Sequence, residues 1–250
     1  KGWDCYYYVG DILEDSIGYW LSDFIRSRDL ILKHVVLNAG EMDSAPIGEM
    51  SQDMIHKMID VNIKGNIFLL NHLVPELKKN GGGSVTIINS ISGLRASKNN
   101  ALYSASKFAL KAVADSLREE CARDNISVSS IYPGYTEGER TESSIKKVMQ
   151  YKGLDYQEAR NIIANRNSQK RILDPREIAD AVLYSMLGEA SSDIYLEGET
   201  DYRIIKLVSW IRDNTENSKK LLIPISGGSD SALVFKLCSI ACPHKVIGTF

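Results

Sequence analysis

Two kinds of apolar spacing alternate along the chain. Short apolar runs bounded by turn residues predict strands at 5–10, 34–38, 84–89, 126–132, 193–198, 221–225 and 246–250. Between them, helices are predicted over 13–28, 54–77, 101–124, 202–214 and 232–241, with polar, helical-looking stretches at 141–150 and 156–165 joined by a Lys-Gly-Leu-Asp turn. In the second of these the buried stripe runs through Met58, Val61, Ile67 and Leu70, is interrupted by Asn62, and is due to kink near its end at Pro75. Asp174-Pro175 is a helix start, with Asp174 as cap and Pro175 in the first turn, leading into an apolar run through Leu187. Strands that alternate with helices predict an α/β fold around a parallel sheet.

Candidate chemistry gathers at 90–107. Ser90 closes the apolar run 84–89, so its hydroxyl lies at the carboxyl end of a buried strand, where open parallel sheets bind ligands. Tyr103 and Lys107 stand four apart in a helix, and one turn brings both onto the same face. An ammonium beside the phenol favours phenolate, which makes Tyr103 a candidate acid/base. Alone, a Tyr-x-x-x-Lys pair is a commonplace of solvated helices.

It does not stand alone. Asn38-Ala39-Gly40 follows a strand, Asn62 sits in Val61-Asn62-Ile63-Lys64-Gly65, Ser90 precedes Tyr103 by thirteen residues, and Pro133-Gly134 follows the next strand. With these motifs in this order, residues 5–198 resemble the short-chain dehydrogenase/reductase family. The resemblance implies a Rossmann-like, doubly wound parallel sheet ordered 3-2-1-4-5-6-7 and an NAD- or NADP-dependent exchange of hydride with a small carbonyl or alcohol. Ser90, Tyr103, Lys107 and Asn62 are then the catalytic set, with Asn62 holding a water of a proton relay; the alternative for Asn62 is a satisfied core amide. Asp11, Asn38, Ala39, Gly40, Tyr103, Lys107, Pro133, Gly134 and Thr136 are implied as cofactor-binding. Asp11 is equally readable as an acid before a helix. Gly138 stands where the family commonly has threonine, which puts one hydroxyl contact in doubt. The inserts at 141–150 and 156–165 are implied to cover the substrate as a lid, and the helices at 54–77 and 101–124 to pack against another copy in a homo-oligomer.

The pattern opens at Lys1 with what matches the family's third strand. The sheet is therefore expected to be incomplete, and dinucleotide binding to be weak at best.

Residues 201–250 read as a second unit, set apart from a first domain at 1–200. Strand, Ser226-Gly227-Gly228-Ser229-Asp230-Ser231, helix and strand form an anion cradle. With Leu207-Val208-Ser209-Trp210-Ile211-Arg212-Asp213, this stretch resembles the opening of an ATP pyrophosphatase domain, most closely of NAD synthetases. That resemblance implies ATP at Ser226, Gly227, Gly228, Ser229, Asp230 and Ser231, with magnesium at Asp230; a tight strand-to-helix turn is the plainer alternative. The fold expected is thus an incomplete Rossmann-like sheet plus a truncated strand-loop-helix-strand unit. For the gap left by the missing strands, two outcomes stand: strands 34, 84, 126 and 193 form a nucleus with 5–10 loosely held and residues after 201 docked weakly, or 221–225 and 246–250 enter the vacant slots. The first is preferred here.

Composition narrows the rest. Thirty Lys and Arg against 32 Asp and Glu leave a formal charge of -2 with no polybasic patch, so no nucleic-acid partner is expected. No apolar run reaches the roughly 18 residues of a membrane span. Cys5, Cys121, Cys238 and Cys242 show no paired framework, which makes a reducing cytoplasm the default. Cys238 and Cys242 read as core residues rather than metal ligands. Two further readings compete with the reductase: adenylation by the carboxyl-terminal unit with the reductase part as a binding or assembly module, and a structural fragment without activity.

Overall fold

The computed structural model describes residues 6–186 and 193–196, together with the backbone of two further strands at 220–224 and 246–249. Seven strands form one sheet: β1 (Tyr7–Tyr8), β2 (Leu32–Leu37), β3 (Gly83–Ile88), β4 (Ile126–Tyr132), β5 (Ile194–Tyr195), β6 (Lys220–Pro224) and β7 (Val246–Thr249). Their order is β1-β7-β6-β2-β3-β4-β5, and every pair is parallel.

Central strands of a parallel sheet are buried on both faces, and the apolar half of β2, Val35-Val36-Leu37, is fully buried for that reason. Val35 packs into the cluster formed by α1 (Asp15–Ser27), α3 (Asn66–Lys79) and α4 (Ala101–Glu120). Val36, one residue on, faces α7 (Pro175–Met186) through Ile178 and Val182. The helices are amphipathic to match: Ile17, Leu21, Phe24 and Ile25 of α1 and Leu69, Leu70, Leu73 and Leu77 of α3 all point into the first cluster. Each such side chain contributes roughly 1.5–3 kcal/mol by leaving water.

Between α2 (Gln52–Ile59) and α3 the expected single helix is broken by a π-helical segment, Asp60–Gly65. The extra residue in that turn rotates Asn62 to a fully buried position. Helix α3 runs through Pro75 to Lys79. The two inserts expected as a lid are helices α5 (Glu139–Lys152) and α6 (Tyr156–Ala164), joined through left-handed Gly153 and a capping box between Asp155 and Glu158. They enclose a small core of their own around Ile145, Ala159 and Ile163.

The preferred outcome for residues after 201 is corrected by the sheet. β6 lies beside β2, with Leu221 opposite His34 and Leu222 opposite Val35, and β7 lies between β6 and β1. The two described strands of the expected second unit thus belong to the sheet of the first. The slots that the 3-2-1-4-5-6-7 order leaves between β1 and β2 are filled, by strands from later in the chain. The physical reason is the inner edge of β2: its amide and carbonyl groups, shielded by helices, need partners, and Leu221-Leu222-Ile223 is an apolar run suited to a strand buried on both faces. Ser226, Gly227, Gly228, Ser229, Asp230 and Ser231, and the helices expected at 202–214 and 232–241, lie outside the described residues.

A proline within β6 separates the one-sheet arrangement from two units. Leu222→Pro removes a ladder donor between β2 and β7, so hydrogen exchange of β2 amides on the β6 side is expected to quicken while those paired to β3 stay protected. Unchanged exchange throughout β2 would return β6 to a separate unit.

Candidate active site

The site is assembled where β3 and β4 end and α4 begins. Ser90 leaves β3 in an extended conformation, and its Oγ accepts the Ser92 N–H at 3.1 Å, closing the short turn Ile91–Gly93. Asn89 ties this turn to the helix: its Oδ1 accepts the Ser90 N–H at 2.9 Å, and its Nδ2 donates to the Lys107 carbonyl at 3.1 Å. Gly93 permits that closeness, because a Cβ there would lie 2.5 Å from Asn89 Oδ1 and 2.9 Å from the Lys107 oxygen. Ile91 N–H donates to the Pro133 carbonyl at 3.0 Å, so the Pro133-Gly134 turn after β4 is held against the Ser90 turn.

On α4, Tyr103 and Lys107 are both buried, at 7% and 5% exposure, although neither is an ordinary core residue. The Ser90 hydroxyl lies near enough to the Tyr103 phenol to act on its proton. Burial pushes Tyr103 above the usual tyrosine range; the Ser90 hydroxyl and the charge of Arg140 pull the other way, and Tyr135 adds to the rise. Burial also drives Lys107 from the ordinary 10.5 down to about 7, with the nearby Arg140 charge acting in the same direction.

These values correct the expectation of an ammonium drawing Tyr103 down. Lys107 Nζ donates to the Ile88 carbonyl at 3.0 Å and stands 5.9 Å from the centre of the Tyr103 ring, so its charge is directed to the strand end and not to the phenol oxygen. The cation that favours the phenolate is Arg140, which the sequence reading passed over. Nothing in its local pattern marks it, since it falls at the start of a polar helix fifty residues from Ser90. Only the fold brings it in.

Asn62 has its side chain met by protein groups. Its Oδ1 accepts the Glu41 N–H at 2.6 Å, and its Nδ2 donates to the Glu41 carbonyl and to Ser106 Oγ, each at 2.9 Å. The amide therefore clamps the turn after β2 to α4. Asn66 continues the clamp, donating to the carbonyls of Ala39 and Asn62. The result is that Gly40 lies against the site: a Cβ there would be 3.4 Å from Asn62 Oδ1 and 3.6 Å from Lys107 Nζ.

Of the remaining sequence candidates, Asn38 and Ala39 follow β2 in this same turn. Gly134 packs on Asn167, whose amide also bonds the Tyr135 N–H and carbonyl. Thr136 directs its hydroxyl to the Gly134 carbonyl at 3.2 Å and bridges to Leu173, anchoring the root of the lid. Asp11 is exposed and caps the Leu13 N–H at 2.9 Å, as an acid before a helix does. Cys121 is a buried free thiol, and among the described residues no group of three His, Cys, Asp or Glu side chains is placed to hold a metal. No helix among them is long and apolar enough to cross a membrane.

A doubly wound parallel sheet that presents a serine, a buried tyrosine and a lysine at its carboxyl edge defines a class of α/β proteins with a ligand crevice above the strands. Within that class, the family model for short chain dehydrogenases matches residues 10–148, over half of the chain, and the chain belongs to that family. An uncharacterized oxidoreductase of Staphylococcus epidermidis is 34% identical over 152 residues, covering 61% of this chain and 57% of that protein. The match thus spans little more than half the length of that curated relative. Sorbitol-6-phosphate 2-dehydrogenase from Erwinia amylovora is similar in structure, with a TM-score of 0.70 at 21% identity over 76% of this chain and 77% of that one. NAD+-bound xylitol dehydrogenase superposes with a TM-score of 0.67 at 21% identity, covering 76% of each chain. These structural likenesses concern the fold.

The lysine makes the site a cost to stability. Because folded Lys107 titrates near 7 and an unfolded lysine near 10.5, the unfolded chain binds more protons between these values, and stability from this residue rises with pH across that window. Lys107→Met is therefore expected to raise the melting temperature most at pH 6, with the gain shrinking towards pH 10. Equal effects at both pH values would show that the ammonium is not desolvated in the fold.

Proposed function

We propose that this chain carries the oxidoreductase site of its family: reversible reduction of a small-molecule carbonyl to an alcohol with NADH or NADPH. The observation that carries this reading is the buried Tyr103 phenol, close enough to Ser90 to feel its hydroxyl, one helical turn before buried Lys107. The surroundings suit a nicotinamide dinucleotide, since the Ala39-Gly40 backbone is bare of large side chains beside Lys107 and the lysine keeps donors beyond the one given to Ile88. When bound, the dinucleotide supplies the hydride to the carbonyl carbon.

The chain's own residues manage the oxygen. Burial keeps Tyr103 protonated at neutral pH, so its hydroxyl is ready to donate a proton to the carbonyl oxygen. Ser90 donates a hydrogen bond to the same oxygen and stabilises the charge developing there. Lys107 holds the nicotinamide ribose, and Asn62 positions the Gly40 turn that borders it. In the oxidative direction Tyr103 must give up its proton, which Ser90 and the Arg140 charge favour. Helices α5 and α6 cover the substrate. Ile67 on α3 and Phe108 on α4, both large and exposed, support packing against a second copy. The Ser-Gly-Gly-x-Asp-Ser motif carries the second reading, an ATP and magnesium site in residues 226–231; it rests on the motif alone.

Tyr103→Phe keeps the ring and removes the proton. Carbonyl-dependent oxidation of NADH or NADPH is expected to fall by about 10²–10⁴-fold, with equilibrium binding of the dinucleotide retained. Hydride transfer at the wild-type rate would sink the assignment.

A further inference from the structure

Arg140 is the second residue of α5, and its guanidinium Nη2 donates to the carbonyl of Gly40, a hundred residues earlier in the chain. Gly40 is the same residue whose Cβ position lies 3.6 Å from Lys107 Nζ. Two cationic side chains thus converge on one turn, near enough for the charge of one to act on the other. Among the described residues neither has a carboxylate partner. Glu41 pairs with Lys57, Glu137 with Arg160, and Glu142 accepts from Tyr156, while Glu139, adjacent to Arg140 in sequence, makes no ion pair with it.

Like charges gathered without a counter-ion repel, and the repulsion is relieved when an anion arrives. A guanidinium is the side chain best shaped for a phosphate or carboxylate, which it grips through two parallel N–H bonds. Arg140 is exposed, so it can exchange its bond to the Gly40 carbonyl for a ligand at little cost. It also stands at the root of the lid, where such an exchange would draw α5 onto whatever is bound.

We propose that Arg140, acting with Lys107, is the receptor for an oxyanion of the bound ligand: a phosphate of the dinucleotide or an acid group of the carbonyl substrate. This rests on the oxidoreductase reading for the identity of the ligands, but the calorimetric part of its test does not depend on turnover. Reduced dinucleotide, reduced nicotinamide riboside, which lacks phosphate, and inorganic pyrophosphate are titrated by calorimetry into the full chain and into Arg140→Gln and Arg140→Lys. A keto acid and its methyl ester are compared as substrates for the same three proteins.

If the oxyanion is the dinucleotide's, Arg140→Gln weakens dinucleotide and pyrophosphate by about tenfold or more, leaves the riboside unmoved, and Arg140→Lys recovers only part of the loss. If it is the substrate's, KM for the keto acid rises by a similar factor while that for the ester and the dinucleotide affinity hold. Unchanged affinities and KM values, with only the melting temperature lowered, would overturn the proposal and leave Arg140 as a tie between α5 and the Gly40 turn. Loss of pyrophosphate binding in Arg140→Gln alongside full activity of Tyr103→Phe would retain the oxyanion receptor and discard the oxidoreductase mechanism.

Discussion

The inner edge of β2 governs this structure. A parallel strand walled by helices on both faces has no water to satisfy its amides, so both of its edges must be paired. β3 takes one edge and β6 the other. With both filled, β2 ends at a defined level, and the Asn38-Ala39-Gly40 turn is delivered to the crevice beside the ends of β3 and β4. The candidate site follows from that alignment. Ser90, the Pro133-Gly134 turn and Gly40 all fall within three residues of a strand's end, and α4 packs across them through the bonds of Asn89 and Asn62.

At that crevice the fold tolerates groups that a core would reject. Lys107 is desolvated without a carboxylate, Tyr103 is buried near the Ser90 hydroxyl, and Arg140 is held to a backbone carbonyl. Buried ionisable groups with displaced pKa values cluster where chemistry is done, because an acid must hold its proton until the substrate is in place. Elsewhere charged side chains pair with opposite charges. The Arg118, Asp115, Lys111 and Asp193 network that ties β5 to α4 is complete within itself, and its surface members contribute little to stability.

Much of this was legible in the residues, for reasons that differ by element. Strands β2, β3 and β4 carry β-branched and other apolar residues bounded by turn residues, and α4 carries its two candidate residues at one-turn spacing, so local pattern sufficed. The inserts at 141–150 and 156–165 read as two helices because the Lys152-Gly153-Leu154-Asp155 turn parts them. Three features lay beyond local pattern. The π turn at Asp60–Gly65 differs from a helix by one residue per turn, which apolar spacing at Met58, Val61 and Ile67 does not resolve. Arg140 joins the site through a tertiary contact with Gly40. The neighbours of β2 were misjudged because strand pairing is a long-range choice: the glycine-rich motif after residue 225 suggested independence, whereas the apolar character of 221–223 and an open edge on β2 favoured insertion.

The strand order also constrains how the chain reaches this state. β2, β3 and β4 pair in sequence order, each joined to the next by a helix, so their contacts close modest loops. β6 and β7 must find places between strands formed from the beginning of the chain, with Leu32 set opposite Lys220. Such non-local pairings close late and slowly. Until they do, the β2–β3–β4 nucleus carries an unprotected edge, the kind of surface on which chains associate in error. Assembly of this sheet is thus a race between intramolecular insertion and capture by another molecule, in which dilution or a chaperone that shields the β2 edge favours the native outcome.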